Sequence, residues 1–218
     1  MARLKLGEIA RWITPRGVAA AAPQLVAASA FLAVWVSPQS FPPSLLKILM
    51  LAMVVEFLLI HSFAFVGLLS QPDSNEPRRG RLRRTWVVIG FGALYLGFAA
   101  ALSLAFKSSS PLWTFGWLIA SRLASVWLGG ESSFAATQRA LTRWGLSVLL
   151  YILGVVLTSI LPLPRLGLTP EVVATLGIPG SGLWVDSPQK LLVFGALYFG
   201  ILALDELAYV ASNAQTTQ

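Results

Sequence analysis

The sequence predicts an all-α integral membrane protein: a bundle of six transmembrane helices, both termini cytoplasmic, with a short amino-terminal amphipathic helix. Three observations carry that expectation. Of the 218 residues, 56% are hydrophobic and only 11% are charged, where a soluble domain carries roughly a quarter charged residues. The apolar residues gather into six runs, each near the length of about 20 residues that a helix needs to cross a bilayer. Lys and Arg concentrate in alternate connections between those runs, as the positive-inside rule requires.

The first residues, ARLKLGEIARWI (2–13), put Leu6, Ile9 and Ile13 at helical spacing. Trp12 sits beside them, and Arg3, Lys5 and Arg11 take the polar side. The pattern predicts a helix lying on the cytoplasmic headgroups and ending at Thr14 and Pro15, within an interfacial segment 1–16. Span 1 covers about 18–36, with Pro23 and Gln24 in its first turns. A basic leader before an apolar run also resembles a signal peptide. The run is long, however, and its end, VWVSPQS, lacks an A-x-A cleavage site, so it reads as a retained span.

After the turn SPQSFPPS, span 2 covers about 45–69, LLKILMLAMVVEFLLIHSFAFVGLL. Glu56 falls at its middle and the chain's single histidine, His61, five residues later. The next connection holds Arg78, Arg79, Arg81, Arg83 and Arg84, the strongest topology signal in the chain and a contact for anionic headgroups. Span 3 follows at about 85–106 and span 4 at about 112–128, across the short turn FKSSSP. The loop GGESSFAATQRALTR leads to span 5 at about 144–162. In the longer connection 163–189, Thr169, Pro170 and Glu171 form an N-cap, N1, N2 signature for a short interfacial helix. Span 6 covers about 190–210, which closes a membrane domain of 17–210, and 211–218 reads as a disordered tail.

Counting cations by side agrees with this topology. The amino-terminal segment has four, the second-to-third loop five and the fourth-to-fifth loop two. The other side has Lys107 and Arg165 in loops, with Lys47 and Lys190 at span ends. Trp12, Trp35, Trp86, Trp113, Trp127, Trp144 and Trp184 fall at span ends or in interfacial segments, as an aromatic belt does, with Trp117 one turn deeper.

The chemistry on offer is the set of polar residues at membrane depth. Glu56 and Arg122 lie near mid-membrane on spans 2 and 4, and opposite charges at matching depth predict an interhelical pair. His61 and Asp205 sit one to two turns nearer the cytoplasm. Ser147, Tyr151, Gly154 and Thr158 share a face of span 5; Tyr198, Asp205 and Tyr209 share one of span 6. An intramembrane charge costs about 2.5–3.5 kcal/mol on insertion scales and marks a functional site by default. A Glu–Arg pair that only fixes helix register is the competing account.

One internal match stands out. FGALYLG at 91–97 recurs as FGALYFG at 194–200, six of seven positions agreeing. On spans that run in opposite directions this is the layout of a 3+3 inverted repeat. The competing account is coincidence between Gly/Ala/Leu-rich segments, and Ala93, Gly97 and Ala101 alone make a close-packing face.

Several classes are excluded. The chain has no Cys and one His, so disulfides, thiolate chemistry, Cys-based zinc and multi-His metal or haem sites are out. It has neither a GxxxxGK[ST] phosphate loop nor a GxSxG elbow. The formal charge of +7 sits beside apolar spans, which points to lipid headgroups and not to nucleic acid. No catalytic residue, metal or cofactor is expected, and an enzyme ranks behind two other readings. The leading expectation is a small permease or channel-like protein for a small solute or ion. Glu56, His61, Arg122, Tyr151, Tyr198 and Asp205 would form its polar core. The alternative is a non-catalytic membrane subunit or assembly factor with structural charges. The expected partners are the bilayer and either a second copy or another membrane protein. The Ala/Leu/Arg-rich composition places it in a bacterial inner membrane.

Overall fold

Among the described residues, proline opens five of the seven α-helices. It lacks the backbone N–H that a first turn leaves unused, and its φ is already helical. In the computed structural model, which describes residues 14–69, 77–106, 109, 112, 116, 134–177 and 181–216, helix α1 is Pro15–Val36, α2 Pro43–Leu69 and α3 Pro77–Phe106. Helix α4 is Phe134–Ile160, α5 Pro170–Thr175, α6 Leu183–Asp186 and α7 Pro188–Thr216. A short 3₁₀ turn, Pro38–Ser40, links α1 to α2. Helix dominates the described residues and no strand occurs among them, so the class is all-α.

Side chains cap two of these starts. Thr14 Oγ1 accepts from the Gly17 amide at 3.0 Å, and Thr169 Oγ1 accepts from the Val172 amide at 3.4 Å, each satisfying one orphan donor of a first turn. Proline also ends helices. Val36 is followed by Ser37 and Pro38, and Ile160 by Leu161 and Pro162. A residue before proline is pushed out of the helical region.

Helix boundaries depart from the expected spans in three places. Helix α3 starts at Pro77, so the arginines at 78–84 lie on its first two turns and not in a loop; Arg and Leu are strong helix formers and Pro77 supplies the start. Helix α4 starts at Phe134, ten residues before the expected 144, because AATQRALTR is a helix-forming sequence despite its polarity. Helix α7 runs on through Thr216, into the segment expected as a disordered tail. The expected amphipathic helix at 2–13 and span 4 at 112–128 lie outside the described residues, apart from Leu112 and Gly116.

Three helical stretches among the described residues are long and apolar enough to cross a membrane: Pro15–Val36, Gln138–Ile160 and Pro188–Asn213. Val88–Ala101 is a shorter apolar one. Their surfaces fit lipid. Leu149, Ile152, Leu153, Val156, Leu157 and Ile160 of α4 are all exposed, a continuous apolar face that water would penalise.

The chain forms two units, Met1–Met50 with Leu149–Gln218, and Leu51–Val148. In the first, α1 and α7 pack antiparallel. Ala21 meets Ala203 and Leu207 in one cluster, with Leu25 packed against it, while Phe31 lies against Gly195 and stacks on Phe199 at 5.8 Å. The carboxyl-terminal half of α4 also runs antiparallel to α7. Tyr151 meets Tyr198 at one level, and Ser159 meets Lys190 two turns further along. These two glycine contacts set the spacing. A Cβ on Gly195 would enter the Phe31 ring, and one on Gly154 the Phe194 ring. The segment 161–168 folds back onto the end of α1. Trp35 Nε1 donates to the Pro164 carbonyl at 3.0 Å, Gly167 packs on Pro38, and Leu168 is fully buried.

In the second unit, α2 packs on α3 through Leu58, Tyr95 and Ala99, with Val55 against them. Trp144 of α4 donates its indole N–H to the Ile60 carbonyl of α2 at 2.8 Å. Ile60 lies nine residues before the end of α2 and Trp144 ten residues after the start of α4, about 14 and 15 Å at 1.5 Å per residue. For antiparallel helices that bond brings the two ends level.

Candidate functional site

Glu56 is placed by the helix it stands on. Met53, one turn before it, is fully buried, and Ile60, one turn after, is 6% exposed. Residues at i, i+3 and i+7 share a face of an α-helix, so Glu56 lies on the packed face of α2 and is itself half-buried. Ile60 carries the carbonyl that Trp144 binds. A carboxylate is thus positioned one turn from an anchored helix contact. His61 lies on α2 as expected, and its side chain is outside the described residues. Arg122 is also outside them, so the Glu56–Arg122 pair stays an expectation.

Two of the expected residues come together in the first unit. Tyr151 of α4 and Tyr198 of α7 meet edge to face, ring centroids 5.8 Å apart, and Phe194 closes the triangle at 4.9 Å from Tyr151 and 6.1 Å from Tyr198. Such edge-to-face pairs add about 0.5–1.5 kcal/mol each beyond area burial. Tyr198 is 1% exposed and Tyr151 7%. Gly154 and Thr158 of the span 5 stripe are packed too. Thr158 is 3% exposed, and its hydroxyl donates to the Gly154 carbonyl at 2.7 Å, satisfied within its own helix. Tyr151 and Gly154, two of the four residues in the stripe read from the sequence as polar, therefore lie on the face α4 buries against α7.

Asp205 continues the face of Tyr198. It is two turns further along α7, about 10 Å at 1.5 Å per residue, with the buried Leu202 between them and the partly exposed Tyr209 one turn beyond. Asp205 is half-buried. Glu56 belongs to the second unit, and Tyr151, Tyr198 and Asp205 to the first.

The arginines expected at the headgroups, Arg78, Arg79, Arg81, Arg83 and Arg84, occupy the first turns of α3, which has no acidic residue there. Cations at a helix amino terminus oppose the macrodipole, at about 0.3–1 kcal/mol for each favourable site forgone. Helix stability does not account for them. Their side chains lie outside the described residues.

Two polar anchors carry no signal in the sequence. The sequence places Trp144 in the aromatic belt and Lys190 at a span end. Lys190 Nζ donates to the Ser159 carbonyl at 2.6 Å, one of the last four carbonyls of α4, which have no intrahelical partner. No periodicity announces such a bond. Outside the long helices, Glu171 is held below the usual carboxylate range, first by the Thr169 hydroxyl, then by its own backbone amide. Among the described residues, no group of three or more His, Asp and Glu side chains gathers as a metal centre would need.

Helix class, apolar surface and buried polar positions together define an all-helical protein whose long helices have the dimensions of membrane spans. No family model, curated protein or solved structure matches the chain.

Proposed function

We propose that the protein is a small permease or channel-like protein of a bacterial inner membrane, moving a small solute or ion past Glu56, with proton coupling through that carboxylate. In this reading the chain spans the bilayer six times with both termini cytoplasmic. The observation that carries it is the position of Glu56 between Met53 and Ile60 on the packed face of α2. A carboxylate that served only the surface would sit on the lipid-exposed face or near a helix end, where it could reach water. Arg122 is its charge partner, with His61 five residues beyond Glu56 on the same helix. The arginines at 78–84 bind anionic headgroups on the cytoplasmic side.

A second reading, a non-catalytic membrane subunit or assembly factor, draws support from the first unit. There Tyr151, Phe194 and Tyr198 pack edge to face, as a structural core does. One experiment separates the two. Wild type and Glu56→Gln are reconstituted into liposomes loaded with a pH-reporting dye, and proton entry is driven by a potassium diffusion potential. Their thermal unfolding is measured in parallel with Arg122→Gln and the double variant. The permease reading expects Glu56→Gln to keep its melting temperature and lose the proton flux. If both single variants melt well below wild type and the double variant recovers, the pair is a structural clamp. Stranding one charge of such a pair costs about 3–5 kcal/mol.

A further inference from the structure

The connection after α4 opens with LPLPRLGL at 161–168, four leucines and two prolines with one charge among them. Within it the turn from Arg165 to Leu168 closes through the Leu168 amide on the Arg165 carbonyl at 3.0 Å. Leu166, inside that turn, has a φ of +48°. A left-handed backbone crowds Cβ against the following carbonyl oxygen, so such turn positions favour Gly, Asn or Asp. Leu166 is also 51% exposed, so burial within the chain offsets only part of that strain.

The strain is imposed from both sides. The Trp35 indole holds the Pro164 carbonyl at 3.0 Å, the Gly167 amide donates to the Trp35 carbonyl at 3.4 Å, and Leu168 is fully buried. These ties set the segment level with the end of α1. The 22 residues of α1 reach about 33 Å at 1.5 Å per residue, against a hydrocarbon core of about 30 Å. The segment therefore lies where α1 leaves the membrane. Its exposed leucines also continue the apolar face of α4: Ile160, 75% exposed, is followed by Leu161 at 47%, and Val36 beside Trp35 is exposed as well. The backbone donors agree. Pro162 and Pro164 have no N–H, and the Leu161, Gly167 and Leu168 amides are hydrogen-bonded, which accounts for five of the eight residues. A segment with so few open donors can enter the headgroup boundary, whereas the hydrocarbon core would demand that every one be met.

We propose that residues 161–168 form a membrane-inserted loop, with Leu161 and Leu166 in the acyl-chain boundary of the leaflet at the Val36 end of α1. Contact with lipid offsets the strain at Leu166. Arg165, exposed between the two leucines, reaches the headgroups with its guanidinium while its stem stays in apolar surroundings. The inference rests on the membrane placement of α1 and α4 and is independent of transport.

The test uses the full chain, which contains no cysteine, in liposomes of phosphatidylcholine and phosphatidylglycerol. Leu166→Cys and Leu161→Cys are each labelled with a nitroxide, beside Ile160→Cys on the apolar face of α4 and Ser181→Cys at an exposed polar position. Collision with oxygen, which concentrates in lipid, is compared with collision with a water-soluble nickel chelate. The oxygen-to-nickel ratio at 161 and 166 is expected to approach that at 160 and to exceed that at 181 several-fold. A ratio at 166 equal to that at 181 overturns the proposal. So does protection from both reagents, the mark of a protein partner or a second copy lying over the loop. If Ile160→Cys also reads as water, the membrane placement of α4 fails along with it. Leu161→Cys, outside the strained turn, decides by the same criteria if Leu166→Cys fails to accumulate.

Discussion

The contact between Gly195 and Phe31 holds α1 against α7, and Gly195→Ala measures it. A Cβ added at Gly195 would lie 2.7 Å from Phe31 Cγ and closer still to Cδ1 and Cε1, against an optimum of about 3.5–4.0 Å for carbon pairs. The ring has little room to withdraw, because Phe31 is fully buried and stacks on Phe199. Either the ring leaves its rotamer or α1 moves off α7, and overpacking of this kind costs about 1–3 kcal/mol. Alanine also stabilises a helix interior by about 0.5–1 kcal/mol over glycine, which would mask part of the loss. Gly200→Ala removes that ambiguity. It lies on the same helix with nothing within 4 Å of its Cβ position, so it carries the propensity gain without the clash. The difference between the two variants should be about 1–3 kcal/mol, or roughly 2–4 °C per kcal/mol for a chain of this size. SDS-induced unfolding in detergent micelles, followed by far-ultraviolet circular dichroism, reads it directly. Equal stability of Gly195→Ala and Gly200→Ala would refute the close-packed α1–α7 contact and with it the role given to Phe31.

Lys190→Met deletes the ammonium that binds the Ser159 carbonyl while keeping the aliphatic stem. A hydrogen bond from a charged donor is worth about 1.5–3 kcal/mol, so the unfolding midpoint should fall, and Lys190→Arg should restore most of the loss. At the surface, Thr169→Val should raise the Glu171 pKa toward its ordinary value, since the Thr169 hydroxyl is the main cause of its depression; a carboxyl-carbon NMR titration measures this. The sign follows from linkage. A carboxyl depressed in the folded state contributes stability that is present above its unfolded pKa and is lost as pH falls through the folded value. Protecting the α5 cap against acid should therefore depend on Thr169.

What the sequence determined by itself was the class of the molecule and the starts of its helices. A chain with 11% charged residues has no water-soluble way to bury its apolar surface, so all-α membrane-length helices follow from composition and run length. Thr14 with Pro15, and Thr169 with Pro170 and Glu171, announced helix starts because capping is local chemistry, completed within one turn. The extensions of α3 to Pro77 and α4 to Phe134 were hidden because hydropathy marks where a helix meets lipid, while helix propensity carries the same helix past that point. Only the tertiary structure decided which polar residues face a neighbour. Glu56 falls on the packed face of α2, and the stretch from Tyr151 to Thr158 is an aromatic-packed, internally bonded contact face. It also decided which glycines matter. Gly154 and Gly195 admit a phenylalanine ring, while Gly97 and Gly200 admit nothing. All four look alike in one dimension, because the quantity that separates them is the distance to a residue far along the chain.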